Sequence, residues 1–152
     1  MTEEQIYQKL SALCASAEHC SYEMTEKMRR WQVPEDIQAR VMERLVKERF
    51  VDDERYCRFF VRDKIRYNKW GRRKVEQALY MKRIPADIQE RILDEIDPQV
   101  YTDILRPLLA AKRKSVKAES QYELNGKLTR FALGRGFTPD IIRECLGECA
   151  ED

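Results

Sequence analysis

The sequence predicts an all-α chain built as three similar helical units, and three observations carry that prediction. The phrase Val33-Pro34-Glu35-Asp36-Ile37-Gln38-Ala39-Arg40 returns as Ile84-Pro85-Ala86-Asp87-Ile88-Gln89-Glu90-Arg91. It returns again, shortened, as Phe137-Thr138-Pro139-Asp140-Ile141. Spacings of 51 and 53 residues mark a repeated supersecondary unit. Five Gly, five Pro and 37% charged residues in 152 favour long amphipathic helices joined by short turns. No stretch alternates apolar and polar residues long enough for a strand. The predicted repeats cover residues 1–53, 54–97 and 98–152.

In the first repeat, Ile6, Leu10, Leu13 and Cys14 form a helical stripe. Ser21 is the expected N-cap of a second helix carrying Met24, Met28 and Trp31. Val33 and Pro34 end that helix, and Pro34 suits the first turn of the next, where a missing N–H costs nothing. Ile37, Val41, Leu45 and Val46 are its expected core face.

The second repeat opens with Asp52-Asp53-Glu54, acids that cap a helix and oppose its N-terminal partial charge. That helix should run to about Tyr67. With each residue turning about 100°, Tyr56, Cys57, Phe60, Val61 and Tyr67 share one arc, expected to be buried. Arg55, Arg58, Arg62 and Arg66 share the opposite one. Gly71 is expected to supply a strained turn angle after Lys69 and Trp70. Arg72, Arg73 and Lys74 begin the next helix, whose apolar side is Val75, Leu79 and Tyr80. Pro85 then starts a helix carrying Ile88, Ile92, Leu93 and Ile96.

Asp97-Pro98 caps and opens the third repeat, followed by Tyr101, Ile104, Leu105, Leu108 and Leu109. Pro107 should kink or restart that helix. Lys112, Arg113, Lys114 and Lys117 form a smaller basic cluster. A helix over about Tyr122–Leu133 should end at Gly134-Arg135-Gly136. Thr138-Pro139-Asp140 caps the last helix, with Ile141, Ile142, Cys145 and Leu146, and the acidic tail from Glu148 should fray.

Charge is concentrated. Residues 55–83 hold eleven Lys or Arg against Asp63 and Glu76, a local balance of +9 that leaves −7 elsewhere. Such a block suits a polyanion or an acidic protein surface. The expected binding residues are Arg55, Arg58, Arg62, Arg66, Lys69, Arg72, Arg73 and Lys74; Phe59 and Trp70 border the stripe and are read first as packing between units, with stacking on bases as the alternative. The bland alternative is a solvated helix face. The five cysteines include no CxxC pair and read as small buried side chains rather than disulfides or metal ligands. One histidine, His19, in an expected turn, gives no catalytic constellation, and no phosphate loop is present. No catalytic residue, metal or cofactor is therefore expected, and the chain is not expected to be an enzyme. No membrane span or signal peptide is read, so a cytoplasmic location is expected.

Four stretches carry a resemblance to a known family. They are Phe50-Val51-Asp52-Asp53-Glu54-Arg55-Tyr56-Cys57, Trp70-Gly71-Arg72-Arg73-Lys74, Cys20-Ser21-Tyr22-Glu23-Met24, and Gly136-Phe137-Thr138-Pro139-Asp140-Ile141-Ile142. In order and spacing they resemble the RecX family, bacterial regulators of the RecA recombinase. Arg49 stands where a Gly is usual before the aromatic residue, and Cys57 where Ala is usual. The resemblance implies tandem three-helix repeats forming a curved, elongated array with a basic surface. It implies binding to RecA in the groove of its filament on single-stranded DNA, with suppression of strand exchange and ATP hydrolysis, in recombination, repair and the SOS response. Weaker, salt-sensitive binding to DNA itself, a monomer, and no membrane partner are the accompanying expectations. A helix-turn-helix DNA-binding regulator or a purely protein-binding helical adaptor are the competing readings.

Overall fold

A computed structural model describes residues 1–150, with side chains as far as Gly147. The Cys149 side chain and the last residues of the tail expected to fray lie outside the described part. The described residues form nine helices and no strand: α1 (Glu3–Ser16), α2 (Ser21–Arg30), α3 (Glu35–Lys47), α4 (Asp53–Arg66), α5 (Arg72–Met81), α6 (Ala86–Asp94), α7 (Pro98–Ser115), α8 (Gln121–Gly134) and α9 (Pro139–Ala150). The all-α, three-by-three pattern is as the repeats predict.

The chain divides into two compact units, which share the helices of the middle repeat. The first comprises Met1–Phe60 and Leu79–Gln89; the second comprises Val61–Ala78 and the residues from Glu90 onward. In the first unit, Ile6, Tyr7, Leu10, Met24, Met28, Val33, Val41, Leu45 and Val51 form one buried cluster. Leu13, Cys14, Trp31 and Ile37 pack against it, partly buried. The second unit buries Ile65, Val75, Ile92, Leu105, Leu109, Leu128, Phe137 and Ile142.

The apolar stripes of α3, α4 and α5 are narrower than the sequence suggests. Val46 is 52% exposed and Tyr80 76%. Each lies five residues beyond a buried residue, Val41 or Val75, and thus about 140° around the helix from it. Tyr67 is 78% exposed because α4 ends at Arg66, so it stands beyond the helix face it was assigned to. Phe60 is half-buried, stacked on Tyr56 at 5.8 Å, rather than core. Helix α7 runs through Pro107 without restarting.

The second loop of each repeat is built alike. Val33 N–H donates to Met28 C=O and Gln32 N–H to Arg29 C=O. Ile84 and Arg83 repeat this with Leu79 and Tyr80, and Phe137 and Gly136 with Ala132 and Leu133. This is the Schellman closure, which satisfies carbonyls left over at a helix end and needs one left-handed residue. Gln32 (φ 57°), Arg83 (φ 55°) and Gly136 (φ 93°) fill that place. An apolar residue follows each and is buried. The same closure ends α3, with Arg49 at φ 63°. A glycine there would be free of the Cβ penalty of about 1–2 kcal/mol.

Two expected caps are corrected. Cys20, not Ser21, is the N-cap of α2, and Glu23 closes back onto it, its carboxylate accepting from Cys20 N–H at 3.1 Å. Pro34 is the N-cap of α3 rather than part of its first turn. Lys69, not Gly71, carries the positive φ, at 58°. Gly71 is required for a different reason, given below.

Candidate nucleic-acid interface

The adjacent acids that open the second repeat act in two directions. Asp52 Oδ1 accepts from Arg55 N–H at 3.0 Å and caps α4. Asp53 reaches instead to the start of α2, accepting from Ser21 N–H at 2.8 Å and from its hydroxyl at 2.5 Å. Both bonds lie in the first unit and tie the first repeat to the second.

Of the predicted binding residues, two lie in the first unit. Arg55 is half-buried, its Nε 2.8 Å from Glu18 Oε1. Arg58 is exposed, with Nη2 4.0 Å from Glu54 Oε1. Both border an open cleft lined also by Arg49, Asp52, Asp53 and Glu54. Cations and carboxylates balance there, so this face presents little net charge to a polyanion. Phe59 is 55% exposed.

The second unit differs. Arg62, Arg66, Lys69 and Arg73 are exposed. Arg72 is not part of that free face. Its Nε sits 2.8 Å from Glu76 and its Nη2 2.7 Å from Asp94, which pins the guanidinium as a structural cross-link. Trp70 is half-buried and holds Lys64 and Lys74, with their ammonium groups 5.4 and 4.8 Å from its ring. A cation over an aromatic face is attracted by the ring quadrupole and keeps its full charge. Trp70 thus positions Lys74 without neutralising it, whereas Lys64 also has Asp63 Oδ2 at 3.9 Å.

Two further side chains join this face: Arg135, read from the sequence only as part of a helix stop, and Lys112, read as part of a separate, smaller basic cluster. Arg135 places its guanidinium 5.4 Å from the Phe131 ring and donates from Nη1 to Asn68 C=O at 3.4 Å. Lys112 lies 5.2 Å from the same ring. A Gly-Arg-Gly turn reads as a helix stop, and no spacing rule connects it to Asn68, 67 positions earlier.

The backbone brings these groups together. Gly71 N–H donates to Arg135 C=O at 2.8 Å and Arg73 N–H to Gly136 C=O at 2.9 Å. The free amides at the start of α5 are therefore satisfied by carbonyls of the α8–α9 turn. A Cβ at Gly71 would stand closer than 3.0 Å to the Gly136–Phe137 backbone. Gly71 is there to allow that approach.

Cys20 and Cys57 are buried, and burial pushes each thiol up to about 11. Cys145 is buried too and Cys14 is half-buried, in keeping with their reading as packing residues. His19 lies between α1 and α2, its Nδ1 3.5 Å from Glu23. No helix among the described residues is long and apolar enough to cross a membrane.

The arrangement is one of tandem three-helix domains, with a cluster of positioned cations in the second unit. Two family models match, those of the second three-helix domain of RecX over residues 52–93 and of the third over residues 99–146. Together they span more than half of the chain, and the chain belongs to the RecX family.

Among curated relatives, the regulatory protein RecX of Bacillus cytotoxicus is 26% identical over 130 residues, covering 86% of this chain and 48% of its own length. That of Chlorobium limicola is 26% identical, covering 84% of this chain and 79% of its own. That of Clostridium acetobutylicum is 30% identical, covering 83% and 60%. The chain thus spans about half the length of some relatives and most of others. The crystal structure of RecX from Lactobacillus salivarius superposes with a TM-score of 0.89 at 20% identity, covering 99% of this chain and 97% of that one. A second RecX crystal structure gives 0.87 at 16% identity, covering 95% and 73%. At these identities the superpositions speak for the fold.

Proposed function

We propose that this chain is a regulator of the RecA recombinase, binding RecA and its filament on single-stranded DNA and chiefly inhibiting its ATP turnover and strand exchange in recombination and repair. Membership of a family of regulatory proteins named RecX is the observation that carries this reading. The exposed cations supply a physical means. A filament of protein on DNA presents phosphates and acidic side chains, and Arg62, Arg66, Lys69 and Arg73 are set to meet them, with Lys74 held beside Trp70. Arg55 and Arg72 act as fold-holding cross-links in this reading, because carboxylates already hold them.

The deciding experiment is RecA ATPase on single-stranded DNA, with RecA from the same organism, titrated with the full chain. The expected result is a fall in turnover at near-stoichiometric or lower amounts, with no ATPase from the chain alone. Unchanged turnover at saturating chain defeats the proposal. If the chain binds a partner tightly, insensitively to salt and without affinity for DNA, it is a protein-binding adaptor instead.

A further inference from the structure

We infer that the third domain takes part in nucleic-acid binding, through a phosphate-contacting line formed by Lys112, Arg135 and Lys74 and spaced by Phe131 and Trp70. The inference rests on the reading of the second unit as a polyanion-binding face, and it assigns that face a ligand class: the sugar-phosphate backbone of single-stranded nucleic acid.

Three observations support it. Lys112 and Arg135 lie 5.2 and 5.4 Å from one ring, Phe131, so a single side chain links a cation of α7 to the cation that caps α8. Arg135 touches the 67–71 turn through Asn68 C=O, and in that turn Lys69 is exposed and Trp70 holds Lys74 at 4.8 Å. Shared ring and carbonyl contacts therefore link the cations from α7, through the end of α8, to the turn before α5. Finally, the partners that position Lys74, Lys112 and Arg135 are aromatic rings and a carbonyl, which leave the charge unneutralised.

The chemistry selects the ligand. Cations held at fixed spacing suit a regular string of phosphates. Aromatic edges between them accept bases or sugars without sequence preference. A duplex reader would need side chains aimed at base edges, and this line offers none beyond the cations.

The test is fluorescence anisotropy of a labelled oligothymidylate across a salt series, with the full chain carrying Lys112→Gln and Arg135→Gln together. Each phosphate contact on a single strand contributes about 0.7 to the slope of log affinity against log salt. The pair should lower the slope by roughly 1.4 and weaken low-salt binding about tenfold or more. Each single substitution should lose about half of that slope, which keeps the test readable if the pair disturbs folding. The charge-preserving pair Lys112→Arg and Arg135→Lys should restore the wild-type slope.

An unchanged slope in the neutral variants, with circular dichroism showing intact helices, overturns the inference. So does a wild-type chain that binds no oligothymidylate at low salt while the neutral pair loses co-sedimentation with RecA filaments, because the face would then read an acidic protein surface. If RecA ATPase is untouched by the wild-type chain but the slope falls as expected, the regulatory reading fails and this inference stands.

Discussion

The first-to-second and second-to-third repeat junctions are built from equivalent positions, yet they close differently. At the first, the start of α2 meets the α5–α6 turn, with Cys20 Sγ 3.9 Å from Lys82 C=O and Arg83 stacked 5.0 Å from the Tyr22 ring. At the second, the start of α5 meets the α8–α9 turn, with Gly71 in the place of Cys20 and Gly136 in the place of Arg83. There the two backbones bond directly. The first junction needs side chains to finish the cap: Asp53 on Ser21, Glu23 on Cys20, and Lys82 on Glu23 at 3.3 Å. At the second, two glycines let the carbonyls reach the amides directly, and Arg135 adds one side-chain bond to Asn68 C=O. Removing side chains at a junction exchanges adaptable packing for backbone hydrogen bonds with no room to spare.

The largest effect should come from adding a methyl group at the tight junction. Gly71→Ala and Gly136→Ala each place a Cβ closer than 3.0 Å to backbone atoms, at Gly136–Phe137 and at Lys74 respectively. Backbone cannot swing aside as a side-chain tip can, so each should cost about 3 kcal/mol, at the upper end of overpacking. Urea denaturation of the full chain measures this. Cys20→Ala at the loose junction removes one sulfur and should cost only about 1 kcal/mol. Equal losses at Gly71 and Cys20 would erase the distinction between the junctions.

A smaller effect isolates the side-chain caps. Asp53→Ala leaves two polar groups of Ser21 without their acceptor and should cost about 1–2 kcal/mol, with no counterpart at the second junction. Acid should act on the same junction. Burial works against the Glu23 carboxylate, but the Cys20 amide, Lys82 and His19 overcome it and hold the group below its ordinary value of 4.5. A carboxylate lowered in the fold adds stability that is complete above the unfolded value and is lost as pH falls through the folded one. Thermal melts should therefore drop as pH is lowered below about 4.5, and Glu23→Gln should flatten that decline.

The smallest expected change is Arg83→Gly. It relieves a left-handed residue of about 1–2 kcal/mol but gives up stacking on Tyr22 worth about 0.5–1 kcal/mol. The greater backbone freedom of glycine in the unfolded chain takes back a further 0.4–1 kcal/mol or so. Melting should stay within the equivalent of about 0.5 kcal/mol of wild type, and a larger loss would show that the Tyr22 contact carries the loose junction.

The helices were legible because each begins with its own local signal. The recurring Pro and Asp-Ile phrases fall at the starts of α3, α6 and α9. Capping depends on residues three or four apart, so the sequence carries it. The basic site was only half legible. Arg55 and Arg72 look the same as Arg62 and Arg66 along the chain, but Glu18 and Asp94 neutralise them from 37 and 22 positions away. Arg135 was hidden for the converse reason: its ring, Phe131, is one helical turn away, but its carbonyl partner, Asn68, comes from a turn 67 positions earlier.

By itself, then, the sequence determined the helical class, the three-unit period, the helix starts and the concentration of positive charge, all of which follow from local spacing and composition. The tertiary structure decided which cations carboxylates hold and which face outward, which glycine bends the chain and which admits a neighbouring backbone, and where Asp53 sends its carboxylate. Those outcomes depend on groups brought together through space, and a pairing between residues tens of positions apart leaves no periodic trace along one chain.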